Sequence, residues 1–154
     1  MRDPDAMKTA LGGSRVVLSG LGVTDGDPPG VLTVGARAVT EARPEAIIWL
    51  GAIGTGPSAA AGGLLVRTMF RAMAAKLEDK VTADAAVLRA GGTVFHAGPL
   101  TQGPLSPARR TAGLDTYQPR LFPAKVSRAT VAAAMLDEAE NPGYAGLIAI
   151  PLER

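Results

Sequence analysis

Residues 46–56 read Ala46-Ile47-Ile48-Trp49-Leu50-Gly51-Ala52-Ile53-Gly54-Thr55-Gly56. An apolar run without alternation leads straight into a cluster of glycines. A strand with one wet face alternates apolar and polar residues. A short unbroken apolar run instead marks a strand covered on both faces, as in a parallel sheet. The pattern recurs along the chain. Arg15-Val16-Val17-Leu18-Ser19 runs into Gly20-Leu21-Gly22, and Thr93-Val94-Phe95-His96 runs into Ala97-Gly98-Pro99-Leu100. Gly146-Leu147-Ile148-Ala149-Ile150 reads as a last strand.

Helical segments separate these runs. Asp3 suits an N-cap and Pro4 a first helical position, so residues 4–11 read as a short helix that Gly12-Gly13 stops. Asp25–Gly30 is a loop by its turn residues. Val31–Ala42 follows as a helix, with Val31, Val34, Ala38 and Val39 near one face and Pro44 beyond its end. Small residues run to Gly63, and residues 64–90 are helical in one or two segments, with Leu65, Met69, Met73 and Leu77 four apart. Residues 101–125 are rich in Pro and Arg and read as irregular. Ser127 caps a helix over residues 128–139.

Alternating strands and helices predict one α/β domain over residues 1–154. It has a parallel sheet of four or five strands with helices on both faces. In such a sheet the ligand lies at the carboxyl ends of the strands. The segments there are Gly20–Gly22, Gly51–Gly56 and Gly98–Gly103. Glycine lets a backbone approach a ligand closely, and it is also simply common after strands.

Composition removes several function classes. The chain has no cysteine and one histidine, which excludes disulfides, thiolate sites, a Cys nucleophile and a His-rich metal site. The net charge is +2, and only Arg109-Arg110 are adjacent arginines. No basic stripe with aromatics exists, so nucleic acid is not the expected partner. No apolar run reaches the ~20 residues that span a membrane. Met1–Asp5 carries no apolar leader core. The expectation is a soluble cytoplasmic protein.

The order of segments resembles the atypical short-chain dehydrogenases/reductases, NAD(P)H-binding proteins that include NmrA-like and flavin-reductase-like members. Ala10-Leu11-Gly12-Gly13-Ser14 is similar to the stretch after their third strand, without its Asp. Val16–Gly22 resembles their fourth strand and cofactor-side loop, and Gly35–Val39 the next helix. Ile47–Ala52 resembles the fifth strand and Leu88–Gly92 the "L-x-x-S-G" that precedes the next one. Val94–Thr101 resembles their "R-P-G-x-L" strand and turn, with His96 in place of Arg. Val126–Ala132 resembles their "S-R-x-D-V-A" helix start.

The resemblance implies a Rossmann-like fold and NADP or NAD as cofactor. The implied cofactor contacts are Gly20, Leu21, Gly22, Gly51, Ala52, Ile53, Lys80, Gly98, Pro99 and Leu100. It also implies that the first, phosphate-binding half, with its G-x-x-G-x-x-G turn, is missing before Met1 and that the domain is truncated. Gly51–Gly56 mimics that turn with the wrong spacing. Arg2 suits a 2′-phosphate, but its register places it after the third strand.

Tyrosine-dependent relatives use Tyr-x-x-x-Lys with a Ser. Neither Tyr117 nor Tyr144 is followed by such a Lys, and Ala52 stands at the Ser position. No catalytic residue is assigned. Lys80 is either a ribose contact or a solvated helix lysine. His96 reads as packed or hydrogen-bonded, Ser127-Arg128 as a cap plus a surface charge, and Trp49 as core. Ser58 has no evident His partner, and neither Glu78 nor Asp84 pairs as an acid or base.

Without a first strand, residues 15–19 become a sheet edge charged only at Arg15. Such an edge invites a homodimer or leaves a poorly stable monomer. Three functions stay open: an NAD(P)H-dependent reductase, a non-catalytic NmrA-like sensor or interaction module, and a non-functional fragment of a longer reductase.

Overall fold

The structure is a computed structural model that describes residues 3–24, 26–61, 74–119 and 122–153. Helix α1 (Pro4–Leu11) begins at an Asp3 cap, whose side chain accepts the Ala6 amide at 2.9 Å. Strand β1 (Val16–Ser19), helix α2 (Val31–Ala42) and strand β2 (Ala46–Ala52) follow. After a 3-10 turn at Gly56–Ser58 come α3 (Ala74–Arg89) and β3 (Thr93–Ala97). The short strands β4 (Leu100–Thr101), β5 (Arg110–Gly113) and β6 (Val126–Ser127) precede α4 (Arg128–Glu140) and β7 (Ile148–Leu152).

The main sheet has the order β1-β2-β3-β7-β5. The first four strands are parallel, with Leu18 beside Ile48, Leu50 beside Phe95 and Phe95 beside Ala149. A parallel pair cannot be closed by a tight turn, so helices carry the chain across the sheet faces. Residues alternate between those faces. Val17, Ile47, Trp49 and Val94 pack against Leu32, Ala36 and Val39 of α2 and Ala83 and Val87 of α3. Ile48, Phe95 and Ala149 pack against Val131, Ala134 and Met135 of α4. This is the expected α/β sheet with helices on both faces.

Several local expectations change. Strand β5 lies within the stretch expected to be irregular and runs antiparallel to β7, with Ala112 opposite Ile150. Strand β7 starts two residues later than expected and passes through Pro151, a residue that argues against a strand in sequence. Leu147 is exposed instead. Val34 is also exposed, and Leu32 and Ala36 take the buried positions of α2. Leu65, Met69 and Met73 lie outside the described residues. Strand β1 is well covered on one face and only partly on the other. It forms an edge of the sheet, where Val16 and Leu18 keep 36% and 40% of their surface.

Candidate cofactor site

Parallel strands point their carboxyl ends the same way, so the loops after β1, β2 and β3 meet at one end of the sheet. Ser19 lies beside Trp49, and Ala52 beside Ala97, which places Gly20, Ala52 and Gly98 on that side. Gly20 and Gly22 are exposed, while Leu21 is half-buried against the core. Gly51 and Ile53 are buried and Ala52 half-buried. The turn after β3 is closed from behind. A Cβ at Gly98 would overlap the Ala124 carbonyl, and the Val126 amide donates to the Pro99 carbonyl at 3.1 Å. Gly98 is half-buried, and Pro99 and Leu100 are exposed.

Helix α3 runs back toward the start of β3, so its early residues stand at this same end. Lys80 lies there, half-buried. Burial pushes its ammonium below the usual lysine range, and Asp84 and Asp79 partly counter that. Its neighbour Asp79 turns toward α2. The Leu32 and Thr33 amides donate to its carboxylate at 3.0 and 2.9 Å, and the Thr33 hydroxyl at 2.6 Å. Burial raises the proton affinity of Asp79. The hydrogen bonds from Thr33 and Leu32, with Lys80 alongside, outweigh that and hold the carboxyl below the usual aspartate range.

These contacts decide where an anion does not fit. The N-terminus of α2 already holds a carboxylate, so its free amides are not offered to a phosphate. In the loop after β2 the Ile53 amide donates to the Ala97 carbonyl and the Gly54 amide to Ser58 Oγ, both at 2.9 Å. The amides of Ile53 and Gly54 are therefore not free for a phosphate.

Two readings from sequence need correction. Ser58 has a histidine partner: its Oγ lies 2.6 Å from His96 Nδ1. Asp84 has the same partner, with Oδ2 3.2 Å from His96 Nε2. All three side chains are buried, at 0% exposure for Ser58 and His96 and 2% for Asp84. The available signal was His96 itself. A lone imidazole in an apolar strand must find partners. Asp79 as a remote cap had no such local signal. Ser127 behaves as expected, accepting the Thr130 amide at 3.0 Å, and Arg128 is exposed. Trp49 is core. Tyr117 is buried, and the Tyr144 hydroxyl donates to the Thr111 carbonyl at 3.2 Å. No described helix is long and apolar enough to cross a membrane.

No curated protein matches the sequence. Among solved structures, the chain is similar to ChuY, an anaerobillin reductase from Escherichia coli O157:H7. The TM-score is 0.76 at 18% identity, over 98% of this chain and 71% of that one. It is similar to the oxidoreductase ylbE from Lactococcus lactis (TM-score 0.74, 17% identity, 98% of this chain, 67% of that one). A short-chain dehydrogenase/reductase from Veillonella parvula gives a TM-score of 0.70 at 15% identity, over 99% of this chain and 68% of that one. At such identities these likenesses establish the shared Rossmann-like fold. The family described as NAD(P)H-binding matches residues 1–142. The chain thus belongs to the NAD(P)H-binding family.

Proposed function

We propose that the carboxyl ends of β1, β2 and β3 hold the nicotinamide–ribose half of NADH or NADPH. The observation that carries this is the meeting of Gly20–Gly22, Gly51–Ile53, Gly98–Leu100 and Lys80 at one end of a parallel sheet, in a chain whose residues 1–142 match an NAD(P)H-binding family. The residues fit that half of the cofactor. Lys80 offers a partly desolvated donor to ribose hydroxyls, and the three loops offer backbone edges. They do not fit the pyrophosphate, because the amides of Ile53, Gly54, Leu32 and Thr33 are already engaged. That grip comes from outside these loops. A bound nicotinamide supplies hydride chemistry, and the chain supplies binding and orientation. We place the protein in the cytoplasm.

A second reading is a cofactor-binding sensor without turnover. It is favoured by Tyr117, which is buried, and by Tyr144, whose hydroxyl is engaged at Thr111. Titration with NADPH and with NADH, followed by cofactor fluorescence and thermal shift, tests both readings. Saturable binding is expected, with stabilisation of about 2.7 kcal/mol at a hundredfold excess over Kd. Which cofactor binds tighter sets the preference. Oxidation of bound cofactor by an added acceptor separates reductase from sensor. No binding by a folded sample refutes the site.

We also propose a second copy of the chain as the partner along β1. Residues 16–23 carry no charge, so this edge lacks the usual protection against pairing. Beside it Leu18, Leu50, Leu100, Met135 and Leu136 line an apolar groove of about 480 Å³. Antiparallel pairing of two β1 strands about a twofold axis brings both grooves together. Light scattering should find a dimer that Leu18→Lys dissociates. A monomer at high concentration refutes the pairing.

A further inference from the structure

Ser58, His96 and Asp84 form one buried polar chain directly beneath the candidate site. It joins the turn after β2, strand β3 and helix α3. The order hydroxyl, imidazole, carboxylate is that of a nucleophile, its base and an orienting acid. Here the hydroxyl has no exposed surface, so it attacks nothing. Its hydrogen bonds point to another task.

A hydroxyl has one hydrogen and two acceptor positions. Ser58 Oγ accepts the Gly54 amide at 2.9 Å and lies 3.0 Å from the Thr55 carbonyl, which can only accept. With its hydrogen given to Thr55, the oxygen accepts again from His96 Nδ1, which therefore carries a hydrogen. Nε2 then faces Asp84 Oδ2 at 3.2 Å. Two lone pairs would repel there, so one proton sits on that contact and the His96–Asp84 pair has no net charge. In the opposite arrangement Ser58 donates to Nδ1 and His96 to an ionised Asp84. That takes the Ser58 hydrogen away from the Thr55 carbonyl and leaves a buried, ionised Asp84 balanced only by Lys80 one turn away, with Oδ1 lacking a hydrogen-bond partner among the described residues. Such burial is the costlier state.

We infer that Ser58, His96 and Asp84 are positioning residues, a neutral clamp that holds the loop Gly51–Ser58 against α3. The consequence for ligand binding rests on the cofactor reading above, because the clamp fixes Ala52 and Ile53 relative to Lys80. Asp84 follows Lys80 by one helical turn, so its anchoring sets where that lysine stands. Gly51 makes the room. A Cβ there would lie 2.6 Å from His96 Cδ2 and 3.0 Å from Asp84 Oδ2.

His96 is the chain's one histidine, so its ring nitrogens can be read without assignment. In ligand-free, 15N-labelled protein near neutral pH, Nδ1 is expected to be protonated. An unprotonated Nδ1 overturns the proton placement. Ser58→Ala should speed exchange of the Gly54 amide about tenfold and leave Val94, in central β3, unchanged. Equal acceleration at both sites shows global destabilisation alone and overturns the clamp. Asp84→Asn, whose amide can donate to Nε2, should keep the slow Gly54 exchange that Asp84→Ala loses. If Ala and Asn behave alike, Asp84 is no part of the clamp. These readouts need no cofactor. If the wild type binds neither NADH nor NADPH, only the cofactor reading falls. If it binds, Ser58→Ala should weaken affinity about tenfold well below its unfolding temperature. Unchanged affinity with fast Gly54 exchange severs the clamp from the site.

Discussion

Replacing Asp79 by Ala should destabilise the protein by about 2–3 kcal/mol, and the origin is a helix that cannot cap itself. Helix α2 begins at Gly30, which has no side chain to offer, and its first turn holds no acidic residue. Asp79 serves instead from α3, accepting two amides and one hydroxyl at 2.6–3.0 Å. Loss of a side-chain cap costs about 0.5–2 kcal/mol, and a charged hydrogen bond about 1.5–3. The three bonds share one carboxylate and do not add in full. For a chain of this length the loss lowers Tm by about 6–9 °C. Asp79→Asn keeps an acceptor but not the charge, and should lose about half as much. Circular dichroism during thermal and urea unfolding measures both. The pH dependence has a definite sign. Asp79 is held below the usual aspartate value in the folded protein, so its contribution is full above about pH 4. It is lost as the pH falls through the folded value. The gap between wild type and Asp79→Ala should therefore be constant from neutral pH down to about pH 5 and shrink below pH 4. Equal stability of the two proteins, or a gap that widens on acidification, refutes the reasoning.

Gly51→Ala should cost about 1–3 kcal/mol in urea unfolding, because its Cβ meets the buried His96–Asp84 pair. An unchanged midpoint would show that the pair moves aside freely. Lys80→Met keeps the stem and removes the ammonium. Cofactor fluorescence should report about tenfold weaker binding, the loss of one charged hydrogen bond, with little change in stability. Equal affinity would place Lys80 outside the site. Arg109 bonds Asp137 through two nitrogens, both at 3.0 Å. Asp137 is exposed, and an exposed pair is worth little. Arg109→Ala should thus leave the urea unfolding midpoint nearly unchanged.

Much of the fold was legible in local pattern. The unbroken run Ala46–Leu50 and its counterparts marked the parallel strands. Asp3, Pro4 and Ser127 marked helix starts that the structure keeps. The edge position of residues 16–19 followed from the resemblance, not from the residues, since an edge strand and a central one share the same apolar run. Strand β5 stayed hidden because Arg110–Gly113 is short and lies in a Pro-rich stretch. Its identity comes from pairing with β7.

The sequence by itself determined the α/β class, the alternation of the parallel strands with their helices and the glycine loops at the strand ends. Each of these depends on neighbouring residues, through periodicity, capping and turn chemistry. Only the tertiary structure decided the polar contacts around the candidate site. Ser58 meets His96 across 38 residues, His96 meets Asp84 across 12, and Asp79 caps α2 across 46. Whether such groups become a buried clamp, a cap or a solvated surface depends on strand register and helix placement. Those are set by packing of the whole core, and no local pattern encodes them.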